Sequence, residues 1–135
     1  MNINKTGLLT SVLLACLCML QAVQAESTIT IDSAWIREAP PATSVLAAYM
    51  TIKNDSETDQ QITGMESPDF ESAEIHRTVV EDGVAQMLPV SGLDVAAGDN
   101  ISLEPGGLHV MVFDPQRPLR EGGTAPLIVH TASGA

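Results

Sequence analysis

Apolar and polar residues alternate in short runs along most of this chain, and turn residues cut the runs at short intervals. Ile29 to Ile36 alternates, with Ile29, Ile31 and Trp35 expected on one side and Thr30 and Asp32 on the other, until Ala39-Pro40-Pro41 breaks it. Val45 to Lys53 reads as a second strand closed by Asn54-Asp55-Ser56, and Gln60 to Met65 as a third. Ala73 to Val80 and Val84 to Leu88 flank Glu81-Asp82-Gly83. That is a hairpin signal, because Asp-Gly tolerates the positive backbone angles of a tight turn. Ile101 to Leu103, Leu108 to Phe113 and Ala125 to Thr131 complete the series, with turns at Glu104-Pro105-Gly106-Gly107 and Glu121-Gly122-Gly123. No segment sustains helical periodicity, and a single helical turn is expected near Ser67 to Phe70. Seven to eight short strands in this arrangement predict an all-β domain, an antiparallel Greek-key sandwich or barrel.

The first 25 residues read differently. Lys5 is followed by the uncharged apolar run Gly7 to Leu20 and by the small residues around Val23-Gln24-Ala25. This is the pattern of a cleaved secretory signal peptide, residues 1–25, with the domain expected over 26–135. The apolar run is short for a bilayer span of about 20 residues, so no stable membrane insertion is expected. Leu13-Leu14-Ala15-Cys16 resembles a lipoprotein cleavage box, but a cut there would leave the apolar stretch Leu17 to Val23 on the exported chain.

Composition narrows the chemistry. Both cysteines, Cys16 and Cys18, lie in the leader, so the exported domain has neither a disulfide nor a thiolate ligand. Thiol-based zinc and blue-copper sites are excluded with them. All 17 acidic residues follow Ala25, against five of the six basic ones, giving that part a formal charge of −12. A balance this acidic argues against nucleic acid and anionic membrane surfaces as partners. No His-Glu-x-x-His or Gly-x-Ser-x-Gly pattern occurs, Asp55 to Asp59 lacks calcium-loop spacing, and no enzyme activity is expected.

Four residues carry a different chemistry: His76, Met87, His109 and Met111. Two imidazoles and two thioethers form a soft, neutral ligand set suited to Cu(I). His109 and Met111, two apart in a strand, share one face, while Leu108, Val110 and Val112 turn to the core. His76 and Met87 flank the Asp82-Gly83 turn, so paired strands set them roughly opposite one another. Bringing the two pairs together is beyond what the pattern dictates. Met50 and Met65 read as core residues, and His130 has no partner ligand near it in sequence. The competing reading is a structural β-sandwich with incidental His and Met, which would leave His76 and His109 beyond about 10 Å, too far for metal bonds of about 2 Å.

The ligand spacing, ten residues, then twenty-one, then one, resembles the signature of the periplasmic copper chaperones called PCu(A)C. Asp32-Ser33-Ala34-Trp35-Ile36-Arg37, Ala48-Tyr49 with Asn54, Glu74-Ile75-His76, Asp82-Gly83, Pro105 to Met111, and Pro118-Leu119 before Glu121-Gly122 also resemble that family, over nearly the whole exported chain. The resemblance implies a cupredoxin-like fold and a periplasmic protein binding one Cu(I) through His76, Met87, His109 and Met111. It implies delivery toward cytochrome c oxidase, to an oxidase subunit or a Sco-type protein. Copper buffering without a dedicated target is the alternative. Some members carry a His- and Met-rich C-terminal tail; Thr131 to Ala135 holds none, so a single copper per chain is expected.

Overall fold

A computed structural model describes residues 29–40 and 42–134, and the expected leader, 1–25, lies outside them. The described residues form nine strands: β1 (Ile29–Ile36), β2 (Val45–Asn54), β3 (Gln60–Glu66), β4 (Phe70–Glu81), β5 (Val84–Pro89), β6 (Leu93–Val95), β7 (Asn100–Leu103), β8 (Leu108–Pro115) and β9 (Ile128–Thr131). All the pairings between strands are antiparallel, within one curled sheet of order β1-β2-β8-β4-β3-β6. β5 pairs with β4, β7 with β2 and β9 with β3. The fold is the cupredoxin-like all-β barrel that the sequence predicts.

Its interior is filled by the inward phase of the long strands. Ile52, Ile62, Val110 and Val112 are fully buried, and Met50, Met65, Phe70, Ile75, Leu93, Val95 and Leu103 pack with them. Met50 and Met65 are thus core residues, and Val110 and Val112 take the phase expected of them, with Leu108 packed at the margin.

Three local readings change. The additional strand is β6, whose three residues bury Leu93 and Val95 and are too short to declare an alternation. Ser67 to Phe70 forms a tight turn rather than helix, closed by Phe70 N–H donating to Ser67 O at 3.3 Å. The third concerns Trp35, which does not share a face with Ile29 and Ile31. Ile31 pairs with core-facing Ile52, and Asp32 with Thr51, but the register then shifts and Trp35 pairs with Tyr49. Ser33 sits in the left-handed region (φ 52°), and with Ala34 it forms a β-bulge that spends one extra residue opposite Met50. Beyond the bulge the strand is re-phased. Trp35 and Arg37 emerge on the outer face of the sheet, and Ile36 takes the inward phase.

Candidate metal centre

The outer face carries the ligand candidates because four strands present the same phase there. β4 and β8 are in register over eight residues, with Glu74 opposite Met111 and His76 opposite His109. Alternation along each strand then puts Glu74, His76, His109 and Met111 on one face. The two imidazole centroids lie 6.2 Å apart, with the planes inclined by 37°. At this separation both rings could reach one ion through metal–nitrogen bonds of about 2.0–2.1 Å.

Turn chemistry fixes both strands. Glu104-Pro105-Gly106-Gly107 joins β7 to β8, Gly107 N–H donating to Glu104 O at 3.0 Å. Gly106 has φ 85°, a value that proline followed by glycine provides in a type II turn. The Gly107 carbonyl is taken twice: Thr78 N–H donates to it at 3.1 Å, tying the turn to β4, and His109 Nδ1 hydrogen-bonds it at 3.1 Å. On the other side, Asp82 (φ 50°) and Gly83 (φ 79°) make the two-residue turn from β4 into β5.

Met87 lies on β5, paired with Thr78, while His76 pairs with Pro89. Met87 is therefore a diagonal neighbour of His76, one pair further along the same face, rather than directly opposite. A diagonal pair of this kind is about 7–8 Å apart at the backbone, within reach of a long thioether side chain. Met87 is 56% exposed, on a strand exposed throughout. Met111 is half-buried beside the histidines. His130 stands apart on β9, opposite Gly64 of β3, with Nε2 3.4 Å from a Glu66 carboxylate oxygen.

His76 and His109 are 8% and 3% exposed, and each spends one ring nitrogen on a hydrogen bond. His76 Nε2 lies 2.9 Å from Glu74 Oε2, and His109 Nδ1 bonds Gly107 O. The other nitrogens, His76 Nδ1 and His109 Nε2, are buried without a partner. Buried polar atoms are nearly always paired, so two bare nitrogens on adjacent rings call for a partner from outside the chain. Among the described residues no three His, Cys, Asp or Glu side chains gather to hold a metal. Met87 and Met111 are the soft side chains on the same face, and thioethers beside imidazoles would favour a soft ion over zinc or calcium.

Sequence reasoning named the residues around the ligands only within segments that resemble the family and gave them no role at the site. Glu74 is two positions from His76, so strand periodicity alone places it on the same face. Tyr49 is buried between Trp35, 4.6 Å away by centroid, and His109, 6.4 Å away, with the Arg37 guanidinium 5.6 Å above its ring. Trp35, Tyr49, His109 and His76 thus form a row across β1, β2, β8 and β4. The bulge at Ser33 is what admits Trp35 to it, and no sequence signal announces a serine bulge.

Residues 29–135 match the model of the LpqE-like family, described as "Putative lipoprotein LpqE-like". "Putative lipoprotein Lxx21020" of Leifsonia xyli subsp. xyli is 27% identical over 108 residues, 79% of this chain and 64% of that one. The chain thus spans less than two thirds of the length of the curated relatives it matches. Among solved structures, CuI-DR1885 of Deinococcus radiodurans is 30% identical, with a TM-score of 0.62 over 83% of this chain and 74% of that one. The copper-bound PCuAC domain from PmoF2 has a TM-score of 0.63 at 20% identity, covering 78% of this chain and 84% of that domain, a likeness of fold.

Proposed function

The chain belongs to the LpqE-like family, and from that membership together with the paired imidazoles we propose that it is an exported copper chaperone rather than an enzyme. It holds one Cu(I) between His76, His109, Met87 and Met111 and passes the ion to an acceptor protein. The observation that carries this reading is the pair of buried, unpartnered nitrogens on directly opposed histidines. The solved relatives support it, since CuI-DR1885 and the PmoF2 domain are copper proteins by their descriptions.

Cu(I) suits the ligand set on charge and softness alike. Two neutral imidazoles and two thioethers bind a monovalent d10 ion without losing protons, and residues 26–135 contain no thiol to be oxidised outside the cytoplasm. The signal-peptide pattern of residues 1–25 supports a periplasmic location. Among the described residues no helix is long and apolar enough to cross a membrane.

Hand-off is supported by the unequal exposure of the ligands. The histidines are buried, whereas Met87 sits on β5, which among the described residues pairs only with β4 and presents all six residues to solvent. An acceptor can displace Met87 first without opening the barrel. An oxidase copper site, or a Sco-type protein serving it, is the proposed destination. Deleting the gene tests this: loss of cytochrome c oxidase activity, restored by added copper, supports delivery. Copper sensitivity with normal oxidase activity would assign the protein to buffering instead.

A further inference from the structure

We infer that Glu74 is the positioning residue of this centre, fixing the His76 ring so that Nδ1 is its metal-binding atom while His109 binds through Nε2. The inference rests on the copper reading above but goes beyond the ligand set. It assigns which ring nitrogen each histidine uses and names the group that decides it.

The assignment follows from what each partner can do. An ionised carboxylate and a backbone carbonyl only accept hydrogen bonds. His76 Nε2, 2.9 Å from Glu74 Oε2, must therefore carry the proton and donate it. His109 Nδ1, 3.1 Å from Gly107 O, must likewise carry its own. In neutral rings the lone pairs then fall on His76 Nδ1 and His109 Nε2, the two nitrogens that are buried and unpartnered. Facing histidines thus offer opposite atoms, for unlike reasons. A backbone carbonyl orients His109, whereas His76 depends on one side chain.

Glu74 is well placed for this and for nothing else in the core. It lies two residues before His76 on β4, on the same face, opposite Met111, with its side chain 53% exposed. Its carboxylate also supplies a negative charge one imidazole away from an otherwise neutral ligand set. Such carboxylate partners of ligating histidines typically matter 10–100-fold in metal affinity.

The test uses the mature protein and the variants E74A and E74Q. In metal-free, 15N-labelled protein at pH 8, two-bond nitrogen–proton correlations report which nitrogen of each ring is protonated. The expected result is Nε2–H at His76 and Nδ1–H at His109, with the His76 Nε2–H proton protected from exchange in wild type and in E74Q, whose amide oxygen still accepts. E74A is expected to lose that protected proton and to weaken Cu(I) binding 10–100-fold in chelator competition, with E74Q losing less. A proton on His76 Nδ1 in the wild type, or unchanged Cu(I) affinity in E74A, would overturn the inference. Failure of the wild type to bind Cu(I) would overturn the proposed function instead, while the metal-free spectra still decide the assignment at His76.

Discussion

His76 and His109 are direct cross-strand partners whose rings lie 6.2 Å apart, each with one buried nitrogen that no group in the protein satisfies. An unsatisfied buried polar atom costs about 1–3 kcal/mol, whereas apolar replacement of both partners is often close to neutral. The metal-free protein is accordingly expected to carry a stability penalty at this spot. Replacing both rings in H76L/H109L also removes the bonds to Glu74 and Gly107, so metal-free stability should stay within about 1 kcal/mol of wild type. Urea unfolding checks this. A loss above about 3 kcal/mol would mean that the imidazoles serve the fold rather than a ligand.

The Ser33 bulge gives a prediction about register. Ser33 bears the left-handed backbone at a cost of about 1–2 kcal/mol, which glycine avoids in part. S33G should therefore unfold no more easily than wild type. Deleting Ser33 restores strict alternation and drives Trp35 toward the core phase, with an expected loss of about 1–3 kcal/mol from overpacking. Emission from Trp35, the only tryptophan, should shift in the deletion variant and not in S33G. A deletion as stable as wild type would contradict the assignment.

Asp69 and Arg117 tie the long connection after β8 to the turn before β4. Arg117 Nε and Nη2 donate to Asp69 Oδ1 and Oδ2 at 2.9 and 2.6 Å, and Nη2 also donates to Thr124 O at 2.6 Å. The guanidinium holds the Asp69 carboxyl below the usual carboxylate range. A depressed carboxyl contributes stability that is present above its unfolded value, about 3.9, and lost as pH falls through the lower folded value. D69N should be less stable than wild type at pH 7, and the gap should close below about pH 4. Unfolding midpoints at several pH values measure this, and a gap independent of pH would refute it.

Export is checked by intact mass. A protein cut after Ala25 begins at Glu26 and contains no cysteine. The expected mass is that of residues 26–135 without lipid. A diacylated chain beginning at Cys16 would instead make this a membrane-anchored member of its family.

Much of the barrel and half of the site were legible in the sequence. Alternation in β2, β4 and β8 is strong because apolar residues fill the inward phase of each, so Val110 and Val112 point inward and His109 and Met111 outward by periodicity alone. The Asp82-Gly83 and Pro105-Gly106 turns were equally plain, since positive φ restricts the residues that fit. The contact between the two ligand pairs was not legible. It depends on β4 lying beside β8, thirty-odd residues away in sequence, and pairing across such a distance leaves no local trace. The offset of Met87 from His76 was legible too, because a two-residue Asp82-Gly83 turn pairs Glu81 with Val84 and so Thr78 with Met87; reading Met87 as roughly opposite His76 did not carry that count through. Glu74 was readable from its spacing to His76 and became meaningful only once a carboxylate oxygen was found at the ring nitrogen.

The most direct measurement of the central claim is a Cu(I) competition titration of the mature protein against a chromogenic chelator, beside M87A/M111A. The account predicts one Cu(I) per wild-type chain. It also predicts an affinity at least about 100-fold lower in the double variant, or roughly 2.7 kcal/mol of lost binding free energy. A wild-type stoichiometry below one, or an affinity unchanged when both thioethers are removed, would contradict it.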